Sequence, residues 1–217
     1  MEGFVSGVIS SFVTHPLEFY KIKYQNGFDN SKINLSRGCI INPFTYGIHY
    51  AVYFPIYKKL KSNGLDSFSS GFLAQSVSSI FLNPLWIIRT QRIATNKTYR
   101  EIYSTFNIKT CFRGITASGL ICFQTALSMT FMESLLKNDN SLLISSFLAK
   151  TISGVITYPL DTFRTIIRTD NYKNPYKLFN ELIFNPLRFY KGLSFYLLKS
   201  VPSFVIVNYC YSILKKN

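Results

Sequence analysis

Three segments of the sequence carry charged residues at fixed distances from a proline. They read GFVSGVISSFVTHPLEFYK from Gly3, GFLAQSVSSIFLNPLWIIR from Gly71 and SFLAKTISGVITYPLDTFR from Ser146. An acid follows the proline by two positions in the first and third copies, and a base follows it by five positions in all three. Acids and bases repeated at one spacing form ion pairs with one another when the segments that carry them meet.

Enzymatic chemistry has little support elsewhere in the chain. There is no nucleophile elbow, no phosphate-binding glycine loop and no cluster of metal ligands in the sequence. His15 and His49 have no partners at ligand spacing, and the four cysteines are scattered without a CxxC pair. We therefore expect no enzymatic activity, no cofactor, no metal site and no disulfide.

The composition excludes a disordered chain and a disulfide-rich secreted domain. The chain has 217 residues, of which 47% are hydrophobic and 17% aromatic, and its formal net charge is +14. Such a charge suits nucleic acid, an anionic membrane face or an anionic ligand, so the position of the bases must decide among them. Met1 and Glu2 run directly into the first apolar stretch, and we expect any membrane address to be internal.

Hydrophobic periodicity predicts six helices of about twenty residues each. The stretches lie near residues 3–25, 39–61, 69–93, 115–136, 142–168 and 193–214, and each contains Ser, Thr, Asn or Gln among its apolar residues. In a bilayer such polar groups face other helices or a water-filled cavity. We expect one transmembrane domain over residues 1–217, built from repeats at about 1–66, 67–140 and 141–217, with a polar interior.

The bases are distributed unevenly between the links of this predicted bundle. Links after the first, third and fifth spans carry 16 of the 24 lysines and arginines, and two lysines, Lys150 and Lys199, lie inside spans. This asymmetry is typical of a multi-pass membrane protein. An RNA-binding surface would instead mix bases with aromatic residues in RNP-like or KH-like motifs, which the sequence lacks. We therefore expect no nucleic-acid partner.

The tripled motif resembles that of the mitochondrial carrier family. The copies read PLEFYK from Pro16, PLWIIR from Pro84 and PLDTFR from Pro159. An aromatic-base-glycine element, complete or partial, follows each copy, as in Phe112-Arg113-Gly114. The resemblance covers essentially the whole chain. It implies a pseudo-threefold barrel of six transmembrane helices in the inner membrane of the mitochondrion or a related organelle, with short amphipathic helices on the matrix side. Proline inside a helix removes a hydrogen bond and clashes with the preceding turn, so the odd helices should be kinked.

The resemblance also implies a gate at the matrix end of the barrel. Family pairing carries over as Glu18 with Arg89 and Asp161 with Lys21. Trp86 replaces the acid that should meet Arg164, so we expect an aromatic contact to that base. The expected gate set is Glu18, Lys21, Arg89, Gln91 as a glutamine brace, Asp161 and Arg164. The alternative is that these charges only hold the bundle together.

At the other end the family's acids are missing at their usual positions, and Glu133 stands one place off. We therefore expect Lys61, Lys137 and Lys215 to lack partners and the outer gate to be weak.

Polar residues at helical spacing on the even helices indicate a solute site. We expect Thr45, His49, Cys122, Lys199 and Ser203 to bind the solute. Lys199 is the charged member of this set, and an ammonium in mid-span should meet an anionic solute or a nearby carboxylate. The alternative for Lys199 is a side chain that snorkels to an interface.

The second copy of the motif, with its tryptophan, looks like that of carriers for nucleotides and nucleotide-derived cofactors such as NAD, FAD and folate. The resemblance implies transport by alternating access, with a nucleotide or another small anionic metabolite as the solute. Lipid partners, including cardiolipin on the matrix side, and a monomeric state are further expectations. The alternative is a carrier-like membrane protein that no longer transports and acts as a scaffold or adaptor.

Overall fold

A computed structural model describes residues 1–26, 38–94, 97–104, 107, 115–137, 141–168 and 175–216, and the regular secondary structure among them is entirely helical. The long helices are α1 (Glu2–Asn26), α2 (Ile41–Ser62), α3 (Ser67–Ala94), α5 (Ile115–Leu136), α6 (Leu142–Arg168) and α8 (Leu193–Lys216). Short helices α4 (Tyr99–Ser104) and α7 (Pro175–Phe184) and a 3-10 helix (Pro186–Tyr190) lie in the links after α3 and α6. The all-helical fold predicted from the sequence is confirmed for this part of the chain.

Local sequence explains where several of these helices begin. Gly38 and Gly192 precede α2 and α8 at equivalent points of the first and third repeats, with φ of 78° and 87°. Side chains with a Cβ rarely adopt this conformation, so the repeat favours glycine there. Asp66 caps α3 by accepting hydrogen bonds from the backbone N–H groups of Phe68 and Ser69, each at 3.1 Å. Hydrogen bonds from Ser69 hold the pKa of the Asp66 carboxyl below its ordinary value.

The six long helices form a closed ring. Each packs against the next along the chain, in the order α1, α2, α3, α5, α6 and α8, and α8 returns to pack against α1. Consecutive antiparallel helices joined by short links pack in this way because each buries part of its surface against its neighbour. The ring therefore surrounds a central space that all three repeats face.

Close packing of α1 against α2 depends on small residues. A Cβ atom on Gly3 would lie 2.5 Å from the carbonyl oxygen of Tyr50, and one on Gly7 would lie 2.6 Å from that of Tyr46. Glycines four residues apart on one helix face allow two membrane helices to approach closely. The first helical hairpin thus has no room for larger side chains at either position.

Polar residues face the inside of the ring and apolar residues face outward. Phe12 and Phe81 are 70% and 73% exposed, whereas Ser78 and Asn83 are fully buried. This is the arrangement expected of a bundle surrounded by lipid. Three of the described helices are long and apolar enough to cross a membrane, over Ser67–Ala94, Leu142–Ile167 and Leu193–Leu214. The six spans and the kinks remain predictions, although Pro16, Pro84 and Pro159 do lie inside α1, α3 and α6.

Some expectations concern residues outside the described part of the chain. These include the second aromatic-base-glycine element, Phe112-Arg113-Gly114, and Cys111. The side chain of Lys215 also lies outside it. The other three cysteines, Cys39, Cys122 and Cys210, are free thiols.

Candidate functional site

A cavity of about 130 Å³ occupies the centre of the ring. All six long helices contribute to its wall, and the residues that do so include Lys21, His49, Gln75, Gln124, Asp161 and Lys199. Charged side chains concentrate just beyond Pro16, Pro84 and Pro159, at what we call the proline end of the cavity. Two carboxylates organise this end, one on α1 and one on α6.

Glu18 binds two bases from different helices. Its Oε1 lies 2.6 Å from a guanidinium nitrogen of Arg89 on α3, and its Oε2 lies 2.5 Å from Nζ of Lys199 on α8. The three side chains are between 3% and 9% exposed. Arg89 also donates a hydrogen bond to Asn42, and Lys199 donates one to the hydroxyl of Tyr46. We call Glu18, Arg89 and Lys199 the Glu18 cluster; it joins α1, α3 and α8.

Asp161 also binds two bases. Its Oδ2 lies 2.5 Å from Nζ of Lys21 on α1, and its Oδ1 lies 2.9 Å from Arg164 one turn further along α6. Lys21 is also 5.0 Å from the ring centre of Tyr196. We call Asp161, Lys21 and Arg164 the Asp161 cluster. The two pairings expected from the family pattern, Glu18 with Arg89 and Asp161 with Lys21, are therefore both present as contacts.

The aromatic contact expected for Arg164 is made by a different base. The ring of Trp86 lies 4.9 Å from the guanidinium of Arg89, which is five positions later than Pro84 on the same helix. Trp86 also meets Tyr46 and His49 edge to face, with ring centres 5.0 and 5.7 Å apart. Arg164 turns to Asp161 instead, because an (i, i+3) partner on its own helix lies within reach.

The expected solute-binding residues divide into two groups. His49, Lys199 and Ser203 line the cavity. Thr45 and Cys122 are not among its wall residues; they are 0% and 1% exposed, and each donates a hydrogen bond to a carbonyl one turn back on its own helix. Their short side chains satisfy the helix backbone rather than the cavity. Gln91, the expected brace, is buried near the end of α3.

Lys199 is held by protein rather than left open for a solute. Its ammonium pairs with Glu18 and lies 4.7 Å from the ring centre of Tyr46. The sequence offered a carboxylate as one of two partners for this lysine, and the structure supplies that carboxylate from the first repeat. It lies inside the cavity wall, which is incompatible with a side chain that snorkels to an interface.

The expectation for the opposite end of the cavity is corrected at Lys61. Its Nζ lies 2.9 Å from Oε2 of Glu133, and Tyr57 donates a hydrogen bond of 2.5 Å to the other carboxylate oxygen. Ser67 also donates to this carboxylate. One residue shifts a side chain by about 1.5 Å along a helix and turns it by about 100° around the axis, yet Glu133 still reaches Lys61, whose side chain is long. Lys137 is exposed at the end of α5.

Sequence reasoning missed Lys150. This lysine lines the cavity from α6, and its Nζ lies 5.4 Å from the ring centre of Phe204. The signal was present, because Lys150 and Asp161 are eleven residues apart, about three helical turns, and so share one face. Lys150 lies on an odd-numbered span, whereas the expected solute contacts were all on the even ones.

The six long helices form a ring with an apolar exterior, and ion-paired carboxylates lie beside its central cavity. This arrangement is that of a helical membrane protein with a polar interior. Residues 139–217 match the family model described as mitochondrial carrier protein. The chain is 29% identical to the human protein named solute carrier family 25 member 33, over 76% of the chain and 64% of that protein. It is 25% identical to nicotinamide adenine dinucleotide transporter 2, mitochondrial, of Arabidopsis thaliana, over 76% of the chain and 58% of that protein.

A third relative aligns over nearly its full length. The mitochondrial FAD carrier protein FLX1 of Saccharomyces cerevisiae is 23% identical, over 99% of the chain and 95% of that protein. The chain is thus similar to mitochondrial carrier proteins, through the family model over residues 139–217 and through these relatives over most of its length. It spans less than two thirds of the length of the human and Arabidopsis relatives. The relatives are named as carriers and transporters rather than as enzymes.

Proposed function

We propose that the protein transports a nucleotide-like anion across the mitochondrial inner membrane by alternating access. The observation that carries this proposal is the charge of the cavity wall. Two carboxylates, Glu18 and Asp161, face five bases, which are Lys21, Arg89, Lys150, Arg164 and Lys199. An excess of positive charge in a partly desolvated cavity raises the local concentration of anions.

The wall that α2 and α3 contribute is aromatic. Tyr46, His49, Tyr53 and Trp86 line it, and the ring of His49 stacks on that of Tyr53 with centres 6.0 Å apart. Aromatic side chains bind the flat faces of nucleobases, and this stacking contributes about 1–3 kcal/mol per base in proteins that bind single-stranded nucleic acid. A cavity with one aromatic side and several cations suits a solute that has both a planar ring and an anionic group.

The names of two relatives support the same class of solute. One is named for nicotinamide adenine dinucleotide and another for FAD. Both of these molecules contain nucleotide units linked through phosphate. In this proposal, the chain takes up a solute with the same combination of ring and phosphate.

The Glu18 and Asp161 clusters act in this proposal as the gate at the proline end, with Gln91 as a brace beneath it. Breaking a buried pair leaves an uncompensated charge, which costs about 3 to 5 kcal/mol. A solute whose anionic group offers the bases another partner reduces that cost and so favours the open state. The monomeric state and an association with anionic lipid such as cardiolipin remain expectations.

The experiment is uptake into liposomes that contain the purified protein. Liposomes are loaded with ADP, UDP, NAD, inorganic phosphate, a keto acid or an amino acid, and uptake of each labelled solute is measured. We expect uptake of at least one nucleotide and little uptake of the amino acid, with empty liposomes as the control. Absence of uptake for every solute would favour the scaffold interpretation, and uptake of the amino acid alone would contradict an anionic solute.

A further inference from the structure

The bases of the cavity differ in whether a carboxylate forms an ion pair with them. Glu18 pairs with Arg89 and Lys199, and Asp161 pairs with Lys21 and Arg164. Lys150 is the fifth base, and no carboxylate among the described residues forms an ion pair with it. The neighbour that the structure gives its ammonium is the face of the Phe204 ring. A charge in mid-membrane without a partner is unfavourable, so such residues mark solute sites more often than structural ones.

Lys150 also stands apart from the two gate clusters. Eleven residues separate it from Asp161 on α6, which corresponds to about 16 Å along the helix axis. The equivalent position of the second repeat is Gln75, nine residues before Pro84 as Lys150 is nine before Pro159, and it lines the cavity too. An anion bound at Lys150 would therefore lie nearer the opposite end of the cavity than the clusters do.

A second polar group of the wall lacks a partner. His49 on α2 is 6% exposed, and its Nδ1 has no hydrogen-bond partner among the described residues. The ring is held between aromatic neighbours, since its centre is 5.0 Å from that of Tyr50 and 5.7 Å from that of Trp86. A buried ring nitrogen without a hydrogen bond is costly, and Nδ1 can either donate or accept. The nitrogen is thus available to a polar atom of a bound solute.

We propose that Lys150 and His49 form the subsite that selects the solute, with Lys150 binding its phosphate and His49 hydrogen-bonding its nucleobase. This proposal rests on the proposed function, because it names the contacts of the same cavity. It moves the anion-binding role from Lys199, which already forms an ion pair with Glu18, to Lys150. The gate clusters then remain intact while the solute first binds.

The test compares ligand binding by wild type and four variants in detergent. The probes are ADP, UDP and inorganic pyrophosphate, and each is titrated while the melting temperature is followed. Lys150→Gln should weaken binding of all three by about tenfold, the loss expected for one hydrogen bond to a charged group. Lys150→Arg should restore most of the affinity because it keeps the charge. Without ligand, Lys150→Gln should melt no lower than wild type, since it removes an unpaired charge.

A variant of the second subsite residue and one matched control separate the roles of the residues. His49→Phe should weaken the binding of ADP and UDP but leave the affinity for pyrophosphate unchanged, because pyrophosphate has no nucleobase. Lys59→Gln, at an exposed lysine in the last turn of α2, should leave all three affinities unchanged.

Failure of the subsite proposal can be distinguished from failure of the proposed transport function. If wild type transports a nucleotide and Lys150→Gln has wild-type affinity for it, the subsite is wrong and the proposed function stands. If Lys150→Gln loses probe binding but the wild-type protein carries no nucleotide across the liposome membrane, the subsite proposal stands and the proposed transport function is wrong. Binding of no probe by wild type would overturn the subsite.

Discussion

Ion pairs of similar length but different burial lie towards the two ends of the cavity. At the proline end, Glu18 lies 2.6 Å from Arg89 and 2.5 Å from Lys199, and these side chains are at most 9% exposed. At the opposite end, Lys61 lies 2.9 Å from Glu133, with exposures of 35% and 28%. Water and salt screen the second pair and scarcely reach the first. Distance alone therefore does not indicate how much an ion pair contributes to the free energy of unfolding. The burial of the charges must be considered as well.

The largest effect should follow loss of Glu18. Glu18→Gln leaves the ammonium of Lys199 and the guanidinium of Arg89 without their carboxylate, and we expect the free energy of unfolding to fall by about 3 to 5 kcal/mol. Thermal unfolding in detergent measures the change. The double variant Glu18→Arg with Arg89→Glu should recover part of the loss by restoring a pair with reversed charges. A melting temperature unchanged by Glu18→Gln would refute the difference between the two ends.

A smaller effect is expected from Trp86. Trp86→Leu removes the aromatic face 4.9 Å from the guanidinium of Arg89, a contact that contributes about 0.5 to 2 kcal/mol. The same unfolding measurement detects this loss. Trp86→Phe is the matched control, because it retains an aromatic face and should lose less. Equal losses in the two variants would mean that packing, and not the attraction between ring and cation, stabilises this contact.

The smallest effect should be at the opposite end. Glu133→Gln and Lys61→Met should each lower stability by about 0 to 1 kcal/mol, as is usual for partly exposed pairs. A double-mutant cycle with both substitutions measures the interaction, and high salt should reduce it. An interaction as large as that of Glu18, and insensitive to salt, would contradict the difference between the two ends.

Much of the fold could be predicted because its signals are local in the sequence. The stretch predicted near residues 142–168 coincides with α6, and the one near 193–214 falls within α8. Hydrophobic periodicity depends on a few neighbouring residues, so a single sequence reveals it.

The site was less predictable because its contacts join residues far apart in the chain. Lys199 was expected to meet either a solute or a carboxylate, and only the ring of helices brings Glu18 to it. Trp86 was assigned to Arg164, yet the packing of α3 directs its ring to Arg89. Lys61 was expected to have no acid, and Glu133 reaches it across the ring from α5. Such outcomes depend on helix rotation and side-chain length, which spacing along the chain does not specify.

The sequence by itself determined the three copies of the proline motif and the excess of bases over acids, because these follow from residue order and count. The tertiary structure decided which bases form ion pairs with each acid. Several cations were possible partners for the two carboxylates, and only those brought close in space form ion pairs. It also decided that Lys150 is the cavity base without a carboxylate among the described residues. An ion pair is a property of two distant parts of the chain, and it exists only once folding has brought them together.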